Sequence, residues 1–172
     1  GYIADEVAKI LRQEGVTSGI VDLGGNILVI GHSFRGPDQK WNIGIQDPNT
    51  ARGTVIGSVQ GADKTVVTSG VYERYLEVDG KKYHHIFDTK TGYPVDNDLA
   101  SVSILTEDSI DGDALTTMLF AKGLEEGMRF VEEQTPKGTD AIFITHEGKV
   151  YITSGLEDNF KLDSESGYEM AK

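Results

Sequence analysis

The sequence predicts a single domain that combines α-helices and β-strands. Apolar residues recur at helical spacing at the start of the chain, in Ile3, Val7, Ile10 and Leu11. Strand-like runs bounded by glycine, asparagine, aspartate or proline follow, and two further helical stretches come before a last pair of strands. A length of 172 residues with 38% hydrophobic residues suits one domain with a sizeable core.

The elements are predicted in this order along the chain. GYIADEVAKILRQEGV is expected to form a helix that stops at Gly15. Strands follow in SGIVDLGGNILVIG, which turns at Gly-Gly-Asn, in KWNIGIQDP and, after a Gly-rich connection, in KTVVTSG and YERYLEVDGKKYHHIFD. ASVSILT is predicted as a strand, GDALTTMLFAKG and LEEGMRFVEEQ as helices, and DAIFITHEGKVYIT as a hairpin. We expect residues 1–160 to form the domain and the polar tail, residues 161–172, to be flexible.

The composition excludes several kinds of partner and site. Acidic residues outnumber basic ones by 28 to 16, a net charge of −12, which repels phosphate backbones, so no nucleic-acid partner is expected. Because the chain has no cysteine, disulfides, thiolate nucleophiles and cysteine-bound zinc are excluded. An acidic protein can still bind a small polyphosphate when a divalent metal bridges its carboxylates to the phosphates. The charge therefore favours a metal-assisted site.

The two adjacent histidines of YHHIFDTKTGYP are predicted to face opposite ways. A two-residue turn at Asp79-Gly80 pairs Val78 with Lys81 and fixes the register beyond it. The further pairs are Glu77–Lys82, Leu76–Tyr83, Tyr75–His84 and Arg74–His85. One face then carries His85 and Arg74 among apolar side chains, namely Tyr72, Leu76, Val78, Tyr83 and Phe87. His84 falls on the polar face, with Glu73 and Glu77.

This register predicts that His85 is half-buried beside a permanent cation. Both conditions disfavour the protonated imidazole, so a neutral ring able to accept a proton near pH 7 is expected. The alternative is a core histidine whose ring nitrogen is satisfied by a backbone carbonyl.

A second cluster of polar side chains lies in DSIDGDALTTMLF. Thr117 is four residues after Asp113 and Thr116 is three after it, so a helix starting here brings one carboxylate and two hydroxyls together at its first turn. Magnesium favours such hard oxygen ligands and completes its shell with water and substrate phosphates. The alternative is that Asp113 is a helix cap.

Six segments in order carry a family resemblance: GYIAD, DLGGNI, WNIGIQDP, TSGVYERY, HHIFDTKTGYP and DALTT. Over roughly residues 1–155 the sequence resembles the ApbE-type flavin transferases, which move FMN from FAD onto a threonine or serine of a protein. The resemblance implies an α+β fold of the ApbE-like (T-fold-like) kind, with an antiparallel sheet and packed helices. It also implies a magnesium-dependent site at which the FAD pyrophosphate is split and AMP is released.

The resemblance also implies roles for individual residues. His85 matches the family's essential histidine, and Asp113 and Thr117 match its magnesium ligands, with Thr116 as a helper. Tyr2 and Asp5 fall in the flavin-binding segment, and Ser69 and Ile86 fall in stretches that approach the FAD. Thr89 stands where the family usually has proline, which we interpret as a tolerated variation of the turn.

The lysine that usually precedes Gly-Tyr in the family is not in this chain, which starts at Gly1. We therefore expect the chain to be the C-terminal part of a longer protein whose preceding portion contributes to the FAD pocket. The family resemblance further implies a location outside the cytoplasmic membrane, periplasmic or on the outer face, with a lipid anchor upstream of this chain.

Two other functions fit the same residues. If water replaces the protein hydroxyl, the chain would act as an FAD pyrophosphatase that yields FMN and AMP. If the preceding portion is essential, the chain would be an inactive flavin-binding fragment.

Overall fold

The structure is a computed structural model that describes residues 1–35, 39–50, 53–72 and 75–171, with only the backbone of Lys81 and Lys82. The helices are α1 (Tyr2–Gln13), α2 (Ser109–Lys122) and α3 (Leu124–Gln134). The strands are β1 (Gly19–Asp22), β2 (Asn26–Ile30), β3 (Trp41–Gln46), β4 (Val55–Gly61), β5 (Lys64–Gly70), β6 (Tyr75–Val78), β7 (Lys81–His84), β8 (Leu99–Thr106), β9 (Asp140–Thr145), β10 (Lys149–Ile152), β11 (Lys161–Leu162) and β12 (Glu169–Met170). This mixture of segregated helices and antiparallel sheets confirms the α+β class.

The described strands form three sheets. The largest has seven strands in the order β1-β2-β5-β8-β9-β10-β12, antiparallel except for the β10–β12 pair. A three-stranded sheet has the order β11-β4-β3, and β6 and β7 form a separate hairpin. Within the described residues, no helix is long and apolar enough to cross a bilayer.

Buried apolar side chains arrange these elements in layers. One cluster lies between the two larger sheets and includes Ile45 of β3, Val66 of β5 and Ile144 of β9. A second packs α2 and α3 on the other face of the seven-stranded sheet, through Phe120 and Phe143 among others. A third places α1 over β1 and β2. Since β8 is covered on both faces, all eight of its residues are buried, which explains its apolar and small-residue sequence.

The first helix follows the predicted periodicity only in part. It ends at Gln13, and Gly15 adopts a positive φ of 86°, as expected of a helix stop. Val7 and Leu11 pack against the cluster beneath α1, whereas Ile3 and Ile10 are exposed. The buried face of α1 is completed by Ala4 and Ala8.

Three strands, β4, β11 and β12, lie where the sequence predicted none. The Gly-rich connection contains β4, and a Cβ at its Gly57 would lie 2.5 Å from the carbonyl oxygen of Lys161, so this glycine lets β11 approach. The tail that was expected to be flexible is instead held by strand pairing: Leu162 pairs with Gly57, and Glu169 pairs with Lys149. The domain therefore extends beyond residue 160.

Tyr168 holds the same tail segment through its phenol. The hydroxyl donates to Asp47 Oδ1 at 2.6 Å and accepts from Asn49 Nδ2 at 2.9 Å. Burial, followed by the hydrogen bond to Asp47, raises the pKa of Tyr168 to about 12. The segment beyond β11 is thus tied to the end of β3.

Candidate functional site

Helix α2 is fixed at its start by a carboxylate from α1. The backbone N–H of Ser109 donates to Asp5 Oδ1 and that of Ile110 donates to Asp5 Oδ2, both at 2.8 Å. The residue at the N-cap position, Asp108, makes no side-chain cap bond. Asp5, which the family resemblance placed in a flavin-binding segment, thus supplies the cap and a favourable negative charge to α2.

A second anchor comes from the DLGGN segment. Gly24 and Gly25 adopt positive φ values and form the predicted turn between β1 and β2. The Ser109 hydroxyl donates to Asn26 Oδ1 at 2.6 Å, and Thr65 Oγ1 donates to Ser109 Oγ at 3.3 Å. The sequence did not single out Asn26, because its partner lies 83 residues away.

The cap that Asp5 supplies to α2 bears on the alternative that Asp113 is a helix cap. Because α2 begins at Ser109 rather than near Gly112, Asp113 is the fifth helical residue and lies outside the capping position. Its side chain is 58% exposed, and its Oδ2 accepts a hydrogen bond from the Gly1 nitrogen at 2.6 Å. The cap alternative is therefore wrong.

Asp113 and Thr117 are exposed to solvent, whereas Thr116 is buried. Thr117 is exposed one turn after Asp113, so the carboxylate and the hydroxyl lie on one side of the helix. Thr116 is 0% exposed; its Oγ1 accepts from Ser69 Oγ at 2.9 Å and donates to the Asp113 carbonyl oxygen at 3.1 Å. The predicted trio is split into two accessible oxygen groups and one buried hydroxyl.

The accessible groups fit a magnesium ion only as part of its shell. In the described part of the chain, no three His, Asp or Glu side chains are grouped so that they could hold a metal. One carboxylate and one hydroxyl are oxygen donors of the kind that magnesium prefers, and the ion commonly takes its other ligands from water and substrate phosphates. The donor set is therefore compatible with magnesium bound together with a phosphate-bearing substrate.

The predicted register of the β6–β7 hairpin is confirmed. Tyr75 pairs with His84, Leu76 with Tyr83, Glu77 with Lys82 and Val78 with Lys81. Asp79 and Gly80 have positive φ values of 52° and 77°, as a tight two-residue turn requires. The predicted partner of His85, Arg74, lies outside the described residues, as does Glu73.

The predicted burial of the two histidines is wrong. His85 follows the last paired residue of β7 and is exposed. His84 is the half-buried one: its Nε2 lies 2.9 Å from the carbonyl oxygen of Val95, and its ring packs edge-on against Phe120 at 5.6 Å between centroids. The core-histidine description therefore applies to His84. Leu76, on the face of the hairpin predicted to be apolar, is 66% exposed.

The turn after the histidines holds His85 from its C-terminal side. Asp88 N donates to the Tyr93 carbonyl and Gly92 N donates to the Asp88 carbonyl, each at 2.8 Å, with Gly92 at a φ of 72°. Ile86 is buried against the helix layer, and its carbonyl accepts from Val95 N at 3.0 Å. His85 thus projects from a segment that is fixed on both sides, and Thr89 lies in the turn that follows it.

Helix α2 connects the two candidate groups. Its second turn carries Asp113, and Phe120, farther along, packs against His84, the neighbour of His85. A cavity of about 1030 Å³ opens beside this contact, between the DTKTGYP turn and the end of α2, and is lined by His84, Phe87 and Phe120 among others. Tyr2 is 61% exposed at the start of α1, next to Gly1.

Comparison with known proteins gives a consistent result. The sequence model of the ApbE family matches residues 1–143. Proteins named FAD:protein FMN transferase are 41% identical over 170 residues in Klebsiella pneumoniae (strain 342) and 38% identical over 168 residues in Treponema pallidum (strain Nichols). These matches cover 99% and 94% of this chain, and 50% and 46% of those proteins.

Solved structures agree with the sequence matches. The crystal structure of an ApbE protein from Thermotoga maritima superposes with a TM-score of 0.80 at 32% identity, covering 91% of this chain and 50% of that one. The apo form of Pseudomonas stutzeri flavinyl transferase ApbE gives 0.71 at 29% identity, covering 91% and 48%. The chain spans about half the length of the relatives it matches. With the family model covering most of its length and its fold shared with these structures, the chain belongs to the ApbE family.

Proposed function

We propose that the protein containing this chain transfers FMN from FAD to a threonine or serine hydroxyl of an acceptor protein, with magnesium, and releases AMP. The proposal rests on one observation: a single helix, α2, supports both the proposed metal ligands and the segment that carries the proposed base. This helix presents Asp113 and Thr117 to solvent and, through Phe120, packs against the segment that carries His85. The names of the relatives support flavin transfer as the reaction.

His85 is proposed as the general base. Its imidazole is exposed, so an acceptor hydroxyl can reach it, while the DTKTGYP turn and the His84–Phe120 contact hold the backbone on which it stands. The hydroxyl oxygen forms a bond to the phosphorus of the FMN half, the bridging P–O bond to the AMP half breaks, and the hydroxyl proton passes to His85.

Asp113 and Thr117 are the residues that would hold magnesium. When bound, the ion would offset negative charge on the FAD pyrophosphate and on the departing AMP. The net charge of −12 favours such compensation, because an acidic protein repels a pyrophosphate at long range. The proposed location outside the cytoplasmic membrane follows from the family resemblance alone.

The test follows the fate of the FMN half. The full-length protein is incubated with FAD, magnesium and a protein bearing an exposed threonine, and products are measured by mass spectrometry. We expect an FMN mass joined to the threonine through a phosphoester and an equal amount of AMP. Transfer requires that water be kept from the phosphorus, since orientation and exclusion alone favour the protein hydroxyl. Free FMN equal to AMP, with no labelled protein, would instead indicate an FAD pyrophosphatase. If residues 1–172 alone bind FAD and form neither product while the full-length protein is active, the chain by itself is an inactive flavin-binding fragment.

Asp113→Asn tests the proposed ligand separately. The variant keeps the size of the side chain but removes the charge that competes with water for so strongly hydrated an ion. Because Asp113 is exposed, does not cap α2 and pairs with the Gly1 nitrogen at the surface, where an ion pair contributes about 0–1 kcal/mol, we expect little change in the unfolding free energy. We expect a loss of Mn²⁺ binding, read by electron paramagnetic resonance. Unchanged Mn²⁺ affinity would remove Asp113 from the site.

A further inference from the structure

Three residues of α2 contact three residues of β5, and the contacts follow the same order along the helix and the strand. Ser109 meets Thr65, Gly112 meets Val67, and Thr116 meets Ser69, so the helix and the strand run alongside each other. A Cβ at Gly112 would lie 2.8 Å from Val67 Cγ2, which shows how closely the helix approaches the sheet. Gly112 thus determines how closely α2 packs on β5. The hydroxyl pairs Ser109–Thr65 and Thr116–Ser69 lie before and after it along the helix.

The hydroxyls of Ser69 and Thr116 form a hydrogen-bonded pair that also reaches the backbone of Asp113, a proposed metal ligand. Ser69 Oγ donates to Thr116 Oγ1 at 2.9 Å, and Thr116 Oγ1 donates to the carbonyl oxygen of Asp113 at 3.1 Å. The single proton of the Thr116 hydroxyl is therefore committed to the backbone of the residue proposed to bind the metal. Since Thr116 is 0% exposed, its oxygen cannot reach a ligand unless the helical turn opens.

We propose that Ser69 and Thr116 form a positioning pair for the site, and that neither hydroxyl is a metal ligand. This inference rests on the proposed function, because it assumes that Asp113 and Thr117 hold the metal. The pair joins the sheet to the turn from Asp113 to Thr117, so it fixes the rotation of that turn about the helix axis. A threonine that bonds back to the carbonyl three residues earlier also shapes the local backbone.

Loss of such a positioning pair is expected to weaken metal affinity more than it lowers the free energy of unfolding. Residues that orient metal ligands typically change affinity by about 10- to 100-fold when they are substituted. A purely structural hydroxyl pair in the same strand offers a comparison: Thr68 Oγ1 and Ser103 Oγ lie 2.7 Å apart on the opposite face of β5 and β8, away from α2. Ser103→Ala removes a similar hydrogen bond without touching the helix.

The experiment titrates Mn²⁺ into the full-length protein with FAD and without an acceptor, read by electron paramagnetic resonance. We expect Thr116→Val and Ser69→Ala each to weaken Mn²⁺ affinity about 10-fold. Thr116→Ser, which keeps the hydroxyl, should retain wild-type affinity. The double variant Ser69→Ala/Thr116→Val should be no weaker than Thr116→Val alone, because Thr116→Val already removes the hydrogen bond from Ser69. Ser103→Ala should retain wild-type affinity.

Three results would overturn the positioning role. Wild-type affinity in Thr116→Val would show that the pair does not act on the site, and complete loss of Mn²⁺ binding, as in Asp113→Asn, would make Thr116 a ligand. Equal weakening in Ser103→Ala would show a general effect of destabilising the sheet. A wild-type protein that binds no Mn²⁺ would refute the proposed metal site and this inference together, which separates that failure from the others.

Discussion

The Asp5 carboxylate and the backbone N–H of Ser109 are joined at 2.8 Å although they lie 104 residues apart in the sequence. A second bond from Ile110 to the same carboxylate makes α1 the source of the cap of α2. Two segments that look like separate family motifs, GYIAD and DALTT, are therefore parts of one structural unit. The position of the proposed metal ligands depends on both.

Asp5→Ala should destabilise the domain by about 1 kcal/mol, within the range of about 0.5–2 kcal/mol for lost helix caps. The two N–H groups at the start of α2 would lose their acceptor, and a negative charge near the helix N-terminus would be removed. Urea unfolding at pH 7 measures the change. Glu6→Ala, the neighbouring residue whose carboxylate lies 3.7 Å from Lys9, is the control and should change stability by less than about 0.5 kcal/mol. Equal effects would contradict the capping role.

His84→Ala and His85→Ala should affect different properties. His84 contacts Phe120 and the Val95 carbonyl, so its removal should lower the unfolding free energy by about 1–3 kcal/mol. His85 is exposed, and its removal should leave stability within about 0.5 kcal/mol of wild type. Its loss should nonetheless reduce turnover by about 10²- to 10⁴-fold, as expected for a general base. Thermal unfolding and the FMN-transfer assay, run on both variants, separate the roles; similar small effects on turnover would exclude His85 as the base.

Gly112→Ala should destabilise the domain even though alanine favours helix. Alanine gains about 1 kcal/mol of helix propensity over glycine, but the new methyl group would lie 2.8 Å from Val67 Cγ2, and overpacking typically costs about 1–3 kcal/mol. The matched control repeats the substitution in a Val67→Ala background, where the nearest remaining atoms, Thr106 Cγ2 and the Cβ of residue 67, lie 3.3 Å away and the destabilisation should be smaller. If Gly112→Ala destabilises equally in both backgrounds, the contact with Val67 is not the cause.

Tyr168→Phe should lower stability at pH 7 by about 1–2 kcal/mol, since the phenol donates to the carboxylate of the buried Asp47. The pKa of Tyr168 is raised to about 12 in the folded chain, from about 10 in an unfolded one. A raised pKa contributes stability that is fully present below pH 10 and is lost as the pH rises towards 12. The stability difference between wild type and Tyr168→Phe, measured by urea unfolding, should therefore shrink over this pH range. A constant difference would show that the phenol has the same pKa in the folded and the unfolded chain.

Local chemistry made the β6–β7 hairpin predictable, while tertiary contacts decided what its residues do. Asp79-Gly80 determines the pairing of four residues on each side, and the structure has that register. Which histidine is buried depends on Phe120 of α2, more than thirty residues away, and the alternation of faces along a short hairpin carries no such information. The exposed His85 therefore keeps its proposed role without the burial that first suggested it.

The start of α2 and the strands near the C-terminus could not be predicted for a similar reason. The cap at Asp5 comes from another helix, so the local sequence shows only Asp108, which makes no side-chain cap bond. Strand β11 has two residues and pairs with β4, about a hundred residues earlier in the chain. Segments this short carry no periodicity, and their conformation is set by the partner strand.

The strand pairs made by residues 161–170 have a consequence for how the chain folds during synthesis. Strand β11 completes the three-stranded sheet and β12 completes the seven-stranded one, so a single short segment joins both sheets of the sandwich. Among the described strands of this chain, β11 and β12 leave the ribosome last, and a domain generally folds as a unit once its residues have emerged. The apolar interior between the sheets is therefore fully covered only after this segment has been translated. In a chain stalled on the ribosome before residue 161, β11 and β12 would be missing and the apolar interior would stay partly exposed, where proteases and chaperones could recognise it.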